Sequence, residues 1–240
     1  MMELSDFDVL TFDCYGTLID WESGILQALK PWLNQHKIEL TDATILEMYA
    51  RHESKIEHDF PGIVYTDILY RVHKALAKEW NIIHSTDDEA TRFSLSVKDW
   101  PTFSDSHDAL KTLKRYYKLA ILSNIDNQSI QHSINKLGVE FDYVFSAQDI
   151  GSYKPNQRNF QYLLDNLATC DIQASKVLHT AQSLFHDHVP AKAIGMATCW
   201  INRRYNKSGW GATPEPSHPV KPDFQFNSLA DMAAARQQLN

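Results

Sequence analysis

The stretch FDVLTFDCYGTLIDWESGI, Phe7 to Ile25, starts as a hydrophobic run, halts on Asp13 and turns through Gly16 and Thr17. A short apolar run stopped by a glycine turn reads as a buried strand. In open parallel sheets, ligands bind at the carboxyl ends of the strands, which is where this reading puts Asp13. Gly16 permits a tight turn, so nearby backbone amides can point towards an anion. An aspartate in this position can equally be a turn or cap residue, and the rest of the chain has to decide between the two.

Beyond this stretch, strand-like and helix-like segments alternate, the signature of a parallel sheet with helices on both faces. Strands are expected at Val9–Phe12, Leu119–Ser123, Tyr143–Ser146, Val177–Thr180 and Thr198–Ile201. Helices are expected at Asn127–Leu137, Gln157–Leu167 and His188–Ile194, with others in SDSHDALKTLKRYY before Leu119 and in SLADMAAARQQL at the end of the chain. Between Trp21 and Trp100 there is helical periodicity only, broken near DFPG and NIIHSTDDEA. The fold expected is α/β: a Rossmann-like parallel-sheet core, residues 1–20 and 101–240, with a helical cap, residues 21–100, inserted after the first strand. NKSGWGATPEPSHPVKPD, Asn206 to Asp223, reads as a surface loop.

Composition limits the function classes. The chain has 240 residues, 43% of them hydrophobic, enough for a sizeable core. Its net charge of −7 argues against a nucleic-acid partner, which would want a basic face. No apolar run reaches the roughly 20 residues that span a bilayer, and MMELSDFD is acidic where a leader would be basic. The expectation is a cytoplasmic protein with no membrane partner. Cys14, Cys170 and Cys199 are odd in number and widely spaced, so they read as reduced thiols. A homodimer is compatible with a sheet enzyme of this kind, although nothing in the sequence locates an interface.

The other strand ends carry chemistry too. The second ends in LSN, offering Ser123 and Asn124; the third is followed by GSYKP, offering Lys154; the fourth by HTAQSLFHD, offering Asp187. Singly, each has a plain structural explanation: turn residues for Thr17 and Ser123, helix caps for Asn124 and Asp187, a solvated loop cation for Lys154. Together and in this order they resemble the four motifs of the haloacid dehalogenase superfamily. DCYGTL is similar to motif one of its L-2-haloacid dehalogenase branch. The resemblance covers most of the chain, the helical cap included.

The resemblance implies that Asp13 is a nucleophile that forms an ester with substrate, supported by Thr17, Ser123, Asn124, Lys154 and Asp187. It implies that the backbone amides of Cys14 and Tyr15, with the Ser123 hydroxyl, hold a substrate carboxylate. In the superfamily's phosphatases the second residue after the nucleophile is an aspartate, where this chain has Tyr15. A further aspartate of their last motif falls at Gln182. Magnesium prefers hard oxygen ligands, usually carboxylates, so the expectation is a site without metal or cofactor, and a phosphatase is disfavoured. Lys154 is then the main cation near Asp13, which suits a small carboxylate substrate. Because it is placed on a mobile loop, its removal should spare folding.

The chain also departs from the dehalogenase pattern. The arginine that helps receive the halide falls, within MYARHESKIEHDF, on Arg51 or His52. Gln182 and Leu184 replace a serine and an asparagine before Asp187. Glu53, Glu57 and Asp59 make the same cap segment acidic; they are a solvated helix face or a group that would repel a halide and steady an amine. A related activity of this branch is hydrolytic ring opening of L-azetidine-2-carboxylate to 2-hydroxy-4-aminobutyrate, and this is the favoured reading, with (S)-2-haloacid or haloacetate dehalogenation as the alternative. Trp21 walls the pocket or packs the cap, His186 and His188 read as local supports of Asp187, and Arg203 and Arg204 read as surface charges.

Overall fold

The computed structural model describes residues 2–239. Residues 1 and 240, the outer limits of the core division expected above, lie outside it. Its six strands are β1 (Val9–Phe12), β2 (Lys118–Ser123), β3 (Tyr143–Ser146), β4 (Val177–Ala181), β5 (Ala197–Ile201) and β6 (Phe224–Phe226). They form one parallel sheet in the order β3-β2-β1-β4-β5-β6. The chain is α/β, as the alternation predicts.

The strands alternate their side chains between two cores, as a period of two requires. Leu10, Phe12, Leu119, Ile121, Leu178 and Cys199 face one cluster, whereas Val9, Ala120, Leu122 and Val177 face the other. Every residue of β1 is buried, because it lies between β2 and β4 with helices on both faces. The strand order reverses beside β1, and such a switch point opens a crevice at the carboxyl ends of the strands.

Between Trp21 and Trp100 lie four α-helices, α1 (Trp21–Gln35), α2 (Asp42–Asp59), α3 (Tyr65–Glu79) and α4 (Asp87–Ser94), and a fifth follows before β2. The breaks at DFPG and NIIHSTDDEA fall between α2 and α3 and between α3 and α4. A third break, before the Thr41 cap of α2, had no Gly or Pro to mark it. The remaining helices are α5 (Ser106–Leu113), α6 (Asn127–Leu137), α7 (Ala147–Ile150), α8 (Gln157–Ala168), α9 (Val189–Ala193) and α10 (Leu229–Gln237). The helix expected from His188 starts one residue later, preceded by a wide π-type turn over Leu184–His188. The sequence reading missed β6, a three-residue edge strand just beyond a proline-rich loop and too short to show a period. No helix among the described residues is long and apolar enough to cross a membrane.

Candidate active site

The β1 turn is built around Asp13. Gly16 sits at φ +92°, and its N–H donates to the Ile19 carbonyl at 2.8 Å. A Cβ here would lie 3.0 Å from the Trp21 Nε1, so both the backbone angle and the space call for glycine. The Cys14 carbonyl accepts from Leu18 and Ile19, closing the turn. Asp13 donates its N–H to Thr180 on β4 at 3.1 Å, which holds its side chain at the switch point.

Both carboxylate oxygens of Asp13 have partners. Oδ1 accepts from Lys154 Nζ at 2.9 Å and Oδ2 from the Thr17 hydroxyl at 2.8 Å. Thr17 in turn accepts from the Gln182 N–H at 2.9 Å, so one hydroxyl ties the β1 turn to the β4 turn. Lys154 is 2% exposed and makes three bonds: to Asp13, to the Leu122 carbonyl at 3.0 Å and to Asp187 Oδ1 at 2.6 Å. The same Asp187 oxygen accepts from His179 Nε2 at 2.8 Å, and Thr11 bonds the other ring nitrogen. Asn124 fixes the lysine's backbone from both sides, accepting from its N–H at 2.7 Å and donating to its carbonyl at 2.9 Å.

Burial and charge pull these groups in different directions. Burial raises the Asp13 carboxyl above the ordinary aspartate value, opposed by the Lys154 ammonium. For Asp187, burial also acts upward, but Lys154 and His179 outweigh it and hold the group well below the usual range. For Lys154, burial is overcome by the two aspartates, and its affinity for the proton rises. The result is a fixed ammonium between two carboxylates, a geometry that orients a nucleophilic oxygen.

Over this cluster lies a cavity of about 30 Å³. The core supplies Asp13, Tyr15, Ser123, Asn124, Lys154, Ser183 and His186 to its walls, and the inserted helices supply Trp21, Glu53, Glu57 and Tyr65. The Ser123 hydroxyl is buried without a partner, as a group awaiting a ligand would be. Tyr15 and Trp21 form walls. The Tyr15 hydroxyl is turned away to Ser133 at 2.8 Å, so its ring faces the site. Cys14 is fully buried, and burial pushes its thiol well above the ordinary value, which makes it a packed residue; only its backbone can serve a ligand.

Arg51 and His52 do not reach the site, which corrects the halide-cradle expectation. Both bond Glu79 of α3 on the outer side of α2. The helical period explains this: Tyr49, Glu53 and Glu57 are spaced by four and share the inward face, while 51 and 52 turn outward. Asp59 also faces out, paired with Lys55. Glu53 accepts from both Tyr49 and Tyr65, and burial raises it to about 7. Glu57 lies 3.3 Å from Asn124 Nδ2; burial, then the charge of Glu53, raises it well above the ordinary range.

The structure adds residues absent from the sequence-derived site. Tyr65 and Thr213 line the cavity with no motif to announce them. His188 supports the turn through the Ala181 carbonyl, but His186 is a wall residue whose Nε2 is buried without a partner. Burial lowers His186 to about 4, so it is neutral near pH 7. Arg203 and Arg204 are not free surface charges. Arg203 holds the Thr17 carbonyl at 2.9 and 3.1 Å and pairs with Asp105, and Arg204 pairs with Glu22. No group of three His, Cys, Asp or Glu side chains arranged to hold a metal occurs among the described residues.

The parallel sheet with an aspartate at the end of β1, a lysine after β3 and a second aspartate after β4 defines a hydrolase built on strand-end carboxylates. The chain belongs to the haloacid dehalogenase-like hydrolase family, which it matches over residues 10–201. It is 27% identical over 230 residues to (S)-2-haloacid dehalogenase 4A of Burkholderia cepacia, covering 92% of this chain and 91% of that one. It is 26% identical to haloacetate dehalogenase H-2 of Moraxella sp. (strain B), covering 90% and 96%. The L-2-haloacid dehalogenase of Xanthobacter autotrophicus, solved with chloropropionic acid covalently bound, superposes with a TM-score of 0.74 at 17% identity, covering 98% of this chain and all of that one. The protein is thus a haloacid dehalogenase-like hydrolase.

Proposed function

We propose that this enzyme displaces a leaving group from C2 of a small carboxylic acid with Asp13 as nucleophile, and that the leaving group is the ring nitrogen of L-azetidine-2-carboxylate. The observation that carries the choice of leaving group is the pair of buried glutamates, Glu53 and Glu57, in the cavity wall contributed by the inserted helices. Among the described residues that line the cavity, Lys154 is the only lysine or arginine, and its three bonds are already made within the core. A departing halide would meet carboxyl groups, whereas a ring ammonium would find them complementary.

In the first step an Asp13 oxygen attacks C2 from the side opposite the nitrogen. The C–N bond breaks, its electron pair goes to nitrogen, and the four-membered ring opens to an Asp13 ester. The new amine takes up a proton, for which a glutamate with a raised proton affinity is a suitable neighbour. Water then adds to the ester carbonyl and releases 2-hydroxy-4-aminobutyrate, restoring the carboxylate. The Ser123 hydroxyl and the amides of Cys14 and Tyr15 hold the substrate carboxylate, and Thr17, Asn124 and Asp187 keep Asp13 and Lys154 in place. The buried side chains around Asp13, Lys154 and Ser123 among them, keep bulk water from the reacting groups.

The reading is tested by incubating the purified protein, with no added metal, with L-azetidine-2-carboxylate, L-2-chloropropionate and chloroacetate. Release of 2-hydroxy-4-aminobutyrate is the expected result. Halide release without ring opening would select the second reading, (S)-2-haloacid or haloacetate dehalogenation, which the names of the Burkholderia and Moraxella relatives favour. In a single turnover in heavy-oxygen water, the label should enter Asp13 and not the product hydroxyl; the reverse pattern would make Asp13 a general base.

A further inference from the structure

Two cavities meet at one residue. The catalytic cavity, about 30 Å³, has room for a water molecule or two. An outer cavity of about 880 Å³ lies between α2 and the loop that follows β5. Thr213 lines both, and it is the one residue they share. The two are also adjacent along the chain: Ser54 and Phe185 of the outer wall follow and precede Glu53 and His186 of the inner one.

Thr213 is held in place by its own loop. Arg204 pairs with Glu22 of α1 and donates to the Ser208 and Gly209 carbonyls at 2.9 and 3.4 Å. Glu22 also accepts from the Ala212 N–H at 3.1 Å, directly before Thr213. Gly211 fits beneath this clamp at φ +67°, where a Cβ would stand 1.8 Å from the Glu22 carboxylate. Ala212 is fully buried and Thr213 is 5% exposed. Glu22 follows Trp21, itself a wall of the catalytic cavity, so the clamp fastens the loop to the site. The loop lies beyond residue 201, where the family match ends.

We propose that Thr213 is a specificity-determining residue: its side chain is the partition between the two cavities and limits the enzyme to acids whose C2 substituent ends there. Removing the side chain joins the catalytic cavity to the apolar part of the outer one, formed by Met48, Ala50 and Phe185, and admits longer C2 chains. This rests on the reading of the site as one for C2-substituted carboxylic acids, but not on which group leaves.

The test is calorimetric binding of 2-hydroxybutyrate and 2-hydroxyoctanoate to the parent, Thr213→Gly, Thr213→Ala and Thr213→Val, each first shown to melt cooperatively. The parent and Thr213→Val, which keeps the volume, should prefer the short acid by about tenfold or more, the scale of discrimination set by a methylene or two at an apolar wall. Thr213→Gly should abolish or reverse that preference, and Thr213→Ala should reduce it, which keeps the test open if the glycine variant does not fold. An unchanged preference in both small variants overturns the partition. So does Thr213→Val behaving like Thr213→Gly, since the hydroxyl and not the bulk would then be responsible. If the short acid binds to no form of the protein, the carboxylic-acid reading of the site falls, and this inference with it.

Discussion

Lys154 shows at the residue scale how burial changes the consequence of a substitution. As a loop cation it would matter little to folding, but at 2% exposure it bonds two buried carboxylates and satisfies a carbonyl. Replacing it with methionine leaves Asp13 and Asp187 without the ammonium between them, Asp187 keeping only its bond to His179. Lys154→Met should therefore lower unfolding free energy by about 3–5 kcal/mol as well as abolish turnover, read from urea unfolding and product release. Asp13→Asn keeps the shape and removes a charge, so it should fold at least as well as the parent while losing turnover by about 10⁴-fold or more. Glu53 has the opposite linkage to the usual carboxylate. Its folded-state value is raised to about 7, so between the ordinary 4.5 and 7 the folded state keeps a proton that the unfolded chain has lost. Its contribution to stability is most favourable below that window and declines as pH rises through it. Glu53→Gln should remove this decline, so that the melting temperatures of variant and parent diverge from pH 5 to pH 8 with the variant higher; parallel curves would reject the raised value.

Elements position the site through a few tethers. Arg203, just after β5, bonds the Thr17 carbonyl twice, stacks on Phe103 and pairs with Asp105. Asp105 in turn accepts from the N–H groups of Leu229 and Ala230 at the start of α10. One arginine thus locks the Asp13 turn, the segment before α5 and the last helix to each other. Arg203→Met should let the turn relax and move Thr17 relative to Asp13, lowering kcat by about 100-fold, the scale expected of a 1 Å misplacement. KM should change less, because Ser123, proposed to hold the substrate carboxylate, lies on β2 outside the turn; an equal loss in both would mean that the binding wall had collapsed instead. The α2 helix works by phase. Tyr49, Glu53 and Glu57 share the inward face because they are four apart, which brings Glu53 and Glu57 to the cavity and excludes Arg51 and His52 from it.

Over the whole molecule, the inserted helices and the core close on each other at the cavity. Asn124 of the core touches Glu57 of α2, and Tyr153 donates to the Ile63 carbonyl before α3 at 2.8 Å. A ligand held between the two parts should stabilise the complete fold by mass action. In the Asp13→Asn variant, L-azetidine-2-carboxylate at a hundred times its dissociation constant should contribute about 2.7 kcal/mol. For a chain of this size that is a rise in Tm of roughly 5–10 °C. Propionate, which has the carboxylate but no ammonium, should give a smaller rise at equal concentration; equal shifts would argue against the acidic wall as the amine's partner.

Local sequence was enough to place the sheet and the polar residues at its strand ends. Short apolar runs between turn residues mark β1 to β5, and Asp13, Ser123, Asn124, Lys154 and Asp187 are readable because parallel strands bring their carboxyl ends to one edge wherever their neighbours lie. β6 was not legible, since three residues carry no period. Only the tertiary structure decided which α2 side chains face Asp13, because a one-residue error in helical phase turns a side chain by about 100°. Packing also decided that Lys154 is a buried partner and Arg203 and Arg204 half-buried ones and not surface charges, because burial depends on what other segments lay over them. Thr213 reaches the site from a loop far along the chain, held by Glu22 and Arg204. That kind of contact has no periodicity to read: it exists only once the fold has brought the segments together.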